Sequence, residues 1–190
     1  MKRKKMIVTL LVLSMAVSSA VAMALRRAKK KGMTFMNGKS YFSIEELSRS
    51  ATARRLGINN TPPPDCQMRL QALIDDVLNP VRRTYGAPIS VNSGYRCPAL
   101  NCAINGARGS QHMRGEAADI TGGTVAKNRK LFEVLVALGR FDQLIWEYGG
   151  EWIHVSWKRG GYNRAEMLAC NGHYTRINNT WRQTVLNAYA

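Results

Sequence analysis

Two short apolar runs, Gln143-Leu-Ile-Trp-Glu147 and Trp152-Ile-His-Val-Ser-Trp157, are separated only by Tyr148-Gly-Gly-Glu151. Runs this short, broken by turn-forming glycines, read as the two strands of a β-hairpin. A hairpin constrains much of what surrounds it, because successive side chains on a strand point to opposite faces. Trp152, His154 and Ser156 then share one face, while Ile153 and Val155 turn to the core. On the partner strand Gln143, Ile145 and Glu147 share a face, so the hairpin can bring Glu147 close to His154.

The rest of the 190-residue chain reads as one α+β domain, a small antiparallel sheet with flanking helices. Ser43-Ile-Glu-Glu46 has the form of a capping box opening a short helix. Gly57 to Asp65, with three prolines, reads as an irregular loop. Met68 to Tyr85 is the best helix, with Leu70, Leu73, Ile74, Val77, Leu78 and Val81 recurring at intervals of three and four. Ile89-Ser-Val91 is a short strand, and Pro98 opens a short helix ending near Gly106. A loop with Gly109-Ser110 and Gly115 feeds a strand at Ala117-Ala-Asp-Ile120, and Asn128 to Leu138 is a second amphipathic helix. Small residues before and within that strand let backbone pass close to a site.

Charge and cysteine usage bear on location. The formal net charge is +16. Residues 1–33 hold nine Lys or Arg and no acid, leaving 19 bases against 12 acids elsewhere. Lys2 to Lys5 followed by the uncharged run 6–25, with Ala20-Val-Ala22 and Ala22-Met-Ala24, has the form of a secretory signal. An uncleaved anchor attaching residues 6–25 to a membrane is the alternative. The expected organisation is a signal peptide or anchor over 1–24, a basic linker over 25–40, a domain over 41–176 and a tail over 177–190. The chain is then exported to the periplasm or cell envelope, where one or two disulfides among Cys66, Cys97, Cys102 and Cys170 would be stable. Cys97 and Cys102 are poor partners for each other. Five residues of helix rise about 7.5 Å, beyond the roughly 7 Å that a disulfide spans between Cα atoms.

A basic body attracts any polyanion, but no zinc-finger or helix-turn-helix pattern is present, so no specific nucleic-acid partner is expected. The chemistry-bearing residues are His112 and Asp119, in Ser110-Gln-His-Met-Arg-Gly-Glu-Ala-Ala-Asp119, and His154. Two imidazoles and a carboxylate make a three-ligand zinc set that leaves a position open for water. On residue types alone, a hydrogen-bonded His–Asp pair in a small-residue loop is an equal alternative. The spacing is not that of an H-E-x-x-H helix, and no C-x-x-C occurs. Ser110, His112 and Asp119 could be forced into a serine-hydrolase scheme, but that leaves His154 unexplained and lacks a G-x-S-x-G elbow.

Ser93-Gly-Tyr-Arg-Cys-Pro-Ala-Leu-Asn101, Ser110-Gln-His-x-x-Gly-x-Ala-x-Asp119, Phe141-Asp-Gln-Leu-Ile-x-Glu147 and Trp152-Ile-His-Val-Ser156 together resemble the M15 zinc peptidases. These are D-Ala-D-Ala carboxypeptidases and murein endopeptidases that share a fold with the Hedgehog signalling domain. The resemblance covers about residues 41–176. It implies Zn²⁺ held by His112, Asp119 and His154, and peptidoglycan stem peptides or cross-bridges as substrate. It also implies a carboxylate that moves the water's proton, for which Glu147 and Glu151 are the candidates, with Glu147 preferred. Arg96 matches the family arginine that binds substrate or steadies an oxyanion; an ion pair with Asp65 or Glu116 is its structural alternative. Ser110 is a candidate substrate contact or a simple turn residue. His173 reads as an ordinary histidine, and Trp146, Trp152 and Trp157 as sheet packing, with Trp152 a candidate cleft residue. A monomeric cell-wall peptidase, for remodelling or lysis, is expected; the alternative is a zinc-bearing module that binds wall peptide or protein without cleaving it.

Overall fold

The computed structural model describes residues 40–177. The expected signal or anchor, the linker up to residue 39 and the tail beyond residue 177 lie outside the described residues. Among those described, no helix is long and apolar enough to cross a membrane.

Helix α1 (Ile44–Ser48) starts as its sequence dictates, with the Ser43 hydroxyl accepting from the Glu46 N–H at 3.1 Å. Helix α2 (Ala51–Arg55) is capped in the same way by Ser50. The long amphipathic stretch starts earlier than its apolar stripe, because Pro64 occupies the first turn, where its missing N–H costs nothing. It forms α3 (Pro64–Leu73), a π turn (Ile74–Leu78) and α4 (Asn79–Tyr85) in direct succession. The π turn sits where Pro80 forbids an ordinary hydrogen bond to the Asp76 carbonyl. The Asn79 N–H bonds instead to Ile74, and the freed Asp76 carbonyl accepts from Arg140 at 3.3 Å. Helix α5 (Pro98–Ala103) is capped by the Cys97 sulfur, and α6 (Val125–Leu138) by Thr124.

The strands are β1 (Ser90–Ser93), β2 (Ala117–Thr121), β3 (Gln143–Glu147), β4 (Trp152–Ser156), β5 (Glu166–Cys170) and β6 (Tyr174–Arg176). They form one sheet in the order β1-β2-β4-β3-β5-β6. The α+β class is as expected, but the sheet is larger and is not purely antiparallel, since β5 runs parallel to β3. The cause is topological. After β4 the chain passes β3 in the loop 157–165 and pairs on its far side, so it runs in the direction of β3.

The two sheet faces differ in chemistry. Ala118, Ile120, Leu144, Trp146, Ile153 and Val155 face the core together with Leu70, Leu73, Ile74, Val77, Leu78 and Val81 of the long helical stretch. Leu131, Phe132 and Leu135 of α6 are buried beside them, each burial contributing about 1.5–3 kcal/mol. Phe132 meets Trp146 edge-to-face at 5.6 Å.

The expected disulfides do not form: all four cysteines are free thiols. Three sulfurs are otherwise engaged. Cys66 interacts with Met113 and Arg69, Cys97 caps α5, and Cys170 faces Glu147.

Candidate metal centre

The register builds the site in one row. Ser93 pairs with Asp119, Asp119 with His154, and His154 with Ile145, across β1, β2, β4 and β3. All lie on the face away from the helices, by the alternation that turns Ile153 and Val155 to the core. His112 comes from the 3₁₀ turn Gln111–Arg114, which ends at Gly115 in the left-handed region (φ 70°). A Cβ at Gly115 would lie 2.6 Å from the Cys66 carbonyl oxygen, so only glycine lets the turn dock against α3 there.

His112 Nε2, Asp119 Oδ1 and His154 Nδ1 form a near-equilateral triangle. Its edges are 3.2 Å between the histidines, 3.2 Å from His112 to Asp119, and 3.0 Å from His154 to Asp119. His112 Nδ1 lies 2.6 Å from the Gly94 carbonyl, which can only accept. The ring proton therefore sits on Nδ1, and Nε2 presents a lone pair to the triangle. A lone pair and a carboxylate oxygen in contact need a cation between them. Ligands about 2.0–2.1 Å from a tetrahedral zinc stand about 3.3 Å apart, close to the edges observed. The residues present thus fit a metal ion, and these three could hold one.

The electrostatics agree. His154 Nε2 is buried with no hydrogen-bond partner among the described residues, and burial pushes the ring below its usual value, towards the neutral form that ligation requires. Burial acts to raise Asp119, but its close contacts with His112 and His154 prevail and hold its carboxyl far below the usual carboxylate range.

Arg96 closes the fourth side. Its Nη2 lies 2.5 Å from Asp119 Oδ2, and its Nε donates to Ser93 Oγ at 2.8 Å. Neither ion-pair alternative holds: Asp65 pairs with Arg69, and Glu116 with Arg114. By occupying Oδ2, Arg96 leaves Oδ1 as the single atom Asp119 offers to the triangle. Gly94 allows this arrangement, because a Cβ there would fall 2.2 Å from the Leu47 carbonyl oxygen.

The two candidate glutamates separate cleanly. Glu147 is buried on the site face, two residues along β3 from the partner of His154, and burial pushes its carboxyl up. Glu151 is exposed in the turn before β4. Ser110 is half-buried at the start of the 3₁₀ turn and caps it with no side-chain bond. Trp152 is half-buried, tilted against the exposed Tyr148 ring at 5.0 Å and paired across the hairpin with Glu147. His173 is exposed.

Two participants had no assigned role from sequence. Asp142, fully buried, accepts from Gln111 Nε2 at 2.9 Å and so fixes the residue beside His112. Its signal was its place in Phe141-Asp142. Cys170, opposite Glu147 on β5, carried no signal, because only the sheet order brings it there.

A family model described as Peptidase M15 matches residues 40–156, more than half of the chain, and the chain belongs to that family. This defines a metallopeptidase class whose members depend on zinc. No curated protein matches the chain.

Proposed function

We propose that this protein is a zinc peptidase that hydrolyses peptide bonds in the stem peptides or cross-bridges of bacterial peptidoglycan. The observation that carries the reading is the triangle of His112 Nε2, Asp119 Oδ1 and His154 Nδ1, three donor atoms converging where no proton can satisfy them all. Zinc bound there supplies a water acidified to a pKa of about 7 and a Lewis acid for the scissile carbonyl.

The chain's own groups do the rest. Glu147 takes a proton from the attacking water and returns it to the leaving amine as the C–N bond breaks. Its burial suits this, because a carboxyl with a raised pKa is a stronger base towards the water's proton. Arg96 spends two nitrogens on Asp119 and Ser93, so a substrate oxygen would meet its Nη1. Ser110 and the Trp152–Tyr148 pair are the proposed substrate contacts. Export, whether by a cleaved signal or an anchor over 1–24, would place the enzyme beside its polymer.

The test is digestion of purified peptidoglycan analysed by mass spectrometry. The wild type should release cleaved stem peptides. Glu147→Gln should retain its metal while turnover falls about 10²–10⁴-fold, and Glu151→Gln should change little. Cleavage abolished in Glu151→Gln but normal in Glu147→Gln would reverse the roles. A wild type that retains zinc but binds wall peptide uncut would make it a recognition module.

A further inference from the structure

The family match ends at residue 156, yet β5 and β6 extend the sheet beyond it. They end against Glu147. In the parallel pair of β3 and β5, Cys170 stands directly opposite Glu147, and across the β5–β6 hairpin Tyr174 stands opposite Cys170. Cys170 and Glu147 are both buried side by side on one face of the sheet, and Tyr174 flanks Cys170 on its outer side. The order of donation follows from the groups. A phenol donates to sulfur, the S–H donates to a carboxylate, and the carboxylate can only accept.

We propose that Cys170 is a positioning residue for the peptidase reaction, holding the Glu147 carboxylate by an S–H···O hydrogen bond that Tyr174 reinforces from outside. The proposal rests on Glu147 being the acid–base group. A carboxylate on a flexible stem must be held in one rotamer to meet a proton in flight. On its other sides Glu147 has Trp152 across the hairpin and the row of candidate ligands two residues away along β3. The thiol suits this place. Burial and the neighbouring carboxylate push its own pKa up, so it stays protonated and donates rather than competing as a thiolate. Its S–H is a weak donor, able to orient the carboxylate without quenching its basicity.

Packing and donation predict opposite results for two near-isosteric substitutions. Cys170→Ser keeps a donor and loses apolar bulk, whereas Cys170→Val keeps bulk and loses the donor. With muropeptide fragments from a peptidoglycan digest as substrate, Cys170→Val should lower kcat about fivefold with KM unchanged. Cys170→Ser should stay within about twofold of wild type, and Tyr174→Phe should fall between them, a range consistent with one modest hydrogen bond. Thermal melting and zinc content, measured on each variant, should separate them from the wild type far less than kcat does. Cys102→Ala, at an exposed thiol on α5, should behave as wild type. The reverse order, valine active and serine impaired, would overturn the proposal and leave Cys170 a packing residue. Glu147→Gln in the same assay distinguishes the two levels. If it is unimpaired, the acid–base assignment fails. If it is inactive while Cys170→Val retains full kcat, only the role of Cys170 fails.

Discussion

Asp119 and Asp142 are both buried aspartates whose carboxyls lie well below the usual range, but they are held there by different partners. Asp142 is saturated by the chain itself. Arg164 Nη2 at 2.6 Å, Lys158 Nζ at 3.0 Å, Gln111 Nε2 at 2.9 Å and the Arg164 N–H at 2.9 Å surround it. Every one is a donor, and together they pin the loop 157–165 that carries the chain past β3. Asp119 has one cation, Arg96, on Oδ2, and two imidazole nitrogens converging on Oδ1. A buried carboxylate that its own chain neutralises holds a fold together. One facing lone pairs is arranged for something the chain does not supply.

That contrast can be broken experimentally. The largest effect is expected at the unsaturated site: Asp119→Ala should lose bound zinc, measured by metal analysis, and with it cleavage, while the apo protein still folds. His112→Ala and His154→Ala should do the same, and full zinc retention in both histidine variants would remove the ligand assignment. Next comes Asp142→Ala, which strands Arg164 and Lys158 and should lower unfolding stability by about 3 kcal/mol, read from urea denaturation, with zinc still bound. If Asp142→Ala lost zinc with stability intact, the division between structural and functional aspartates would fail.

A smaller effect is expected at Arg96. Arg96→Ala frees Asp119 Oδ2 and should weaken zinc affinity by about 10–100-fold, the usual worth of a residue that orients a ligand. Competition with a chelator would measure it. The smallest effect is one of pH. Asp142 has a folded-state pKa below its unfolded value. Its contribution is therefore fully present above about pH 4, near the unfolded value, and is lost as pH falls from there towards the folded value. The urea midpoint of the apo protein should drop over that range, and Asp142→Asn should flatten the drop.

Much of the site was legible because it rests on alternation. Once the hairpin at Tyr148-Gly-Gly-Glu151 was read, His154, Ile145 and Glu147 had to share a face, and the structure places them so. The three ligand types alone left a hydrogen-bonded His–Asp pair as an equal alternative, and the family resemblance chose between them. What stayed hidden depends on distant partners. Nothing local in Glu166-Met-Leu-Ala-Cys170 marks a strand. It lacks β-branched residues and becomes one by pairing with β3. Asp142 was visible as a residue but not as a hub, since its main cation lies 22 residues downstream on an irregular loop. The π turn went unread because Met68 to Tyr85 carries one regular apolar stripe; Pro80 interrupts it, and Arg140, distant in sequence, takes the Asp76 carbonyl.

The triangle draws its corners from a 3₁₀ turn and two strands, with His112 and His154 separated by 42 residues. In the unfolded chain those groups are scattered, and gathering them carries a loop-closure cost that grows slowly with separation. The unfolded ensemble therefore has little affinity for the ion, and any zinc captured is captured by the native state. By mass action the ion then acts as a thermodynamic clasp on the whole domain: free zinc at a hundredfold its dissociation constant would add about 2.7 kcal/mol to folding. The domain would gain this resistance to unfolding only where zinc is supplied, so metal supply would govern the lifetime of the protein as well as its chemistry.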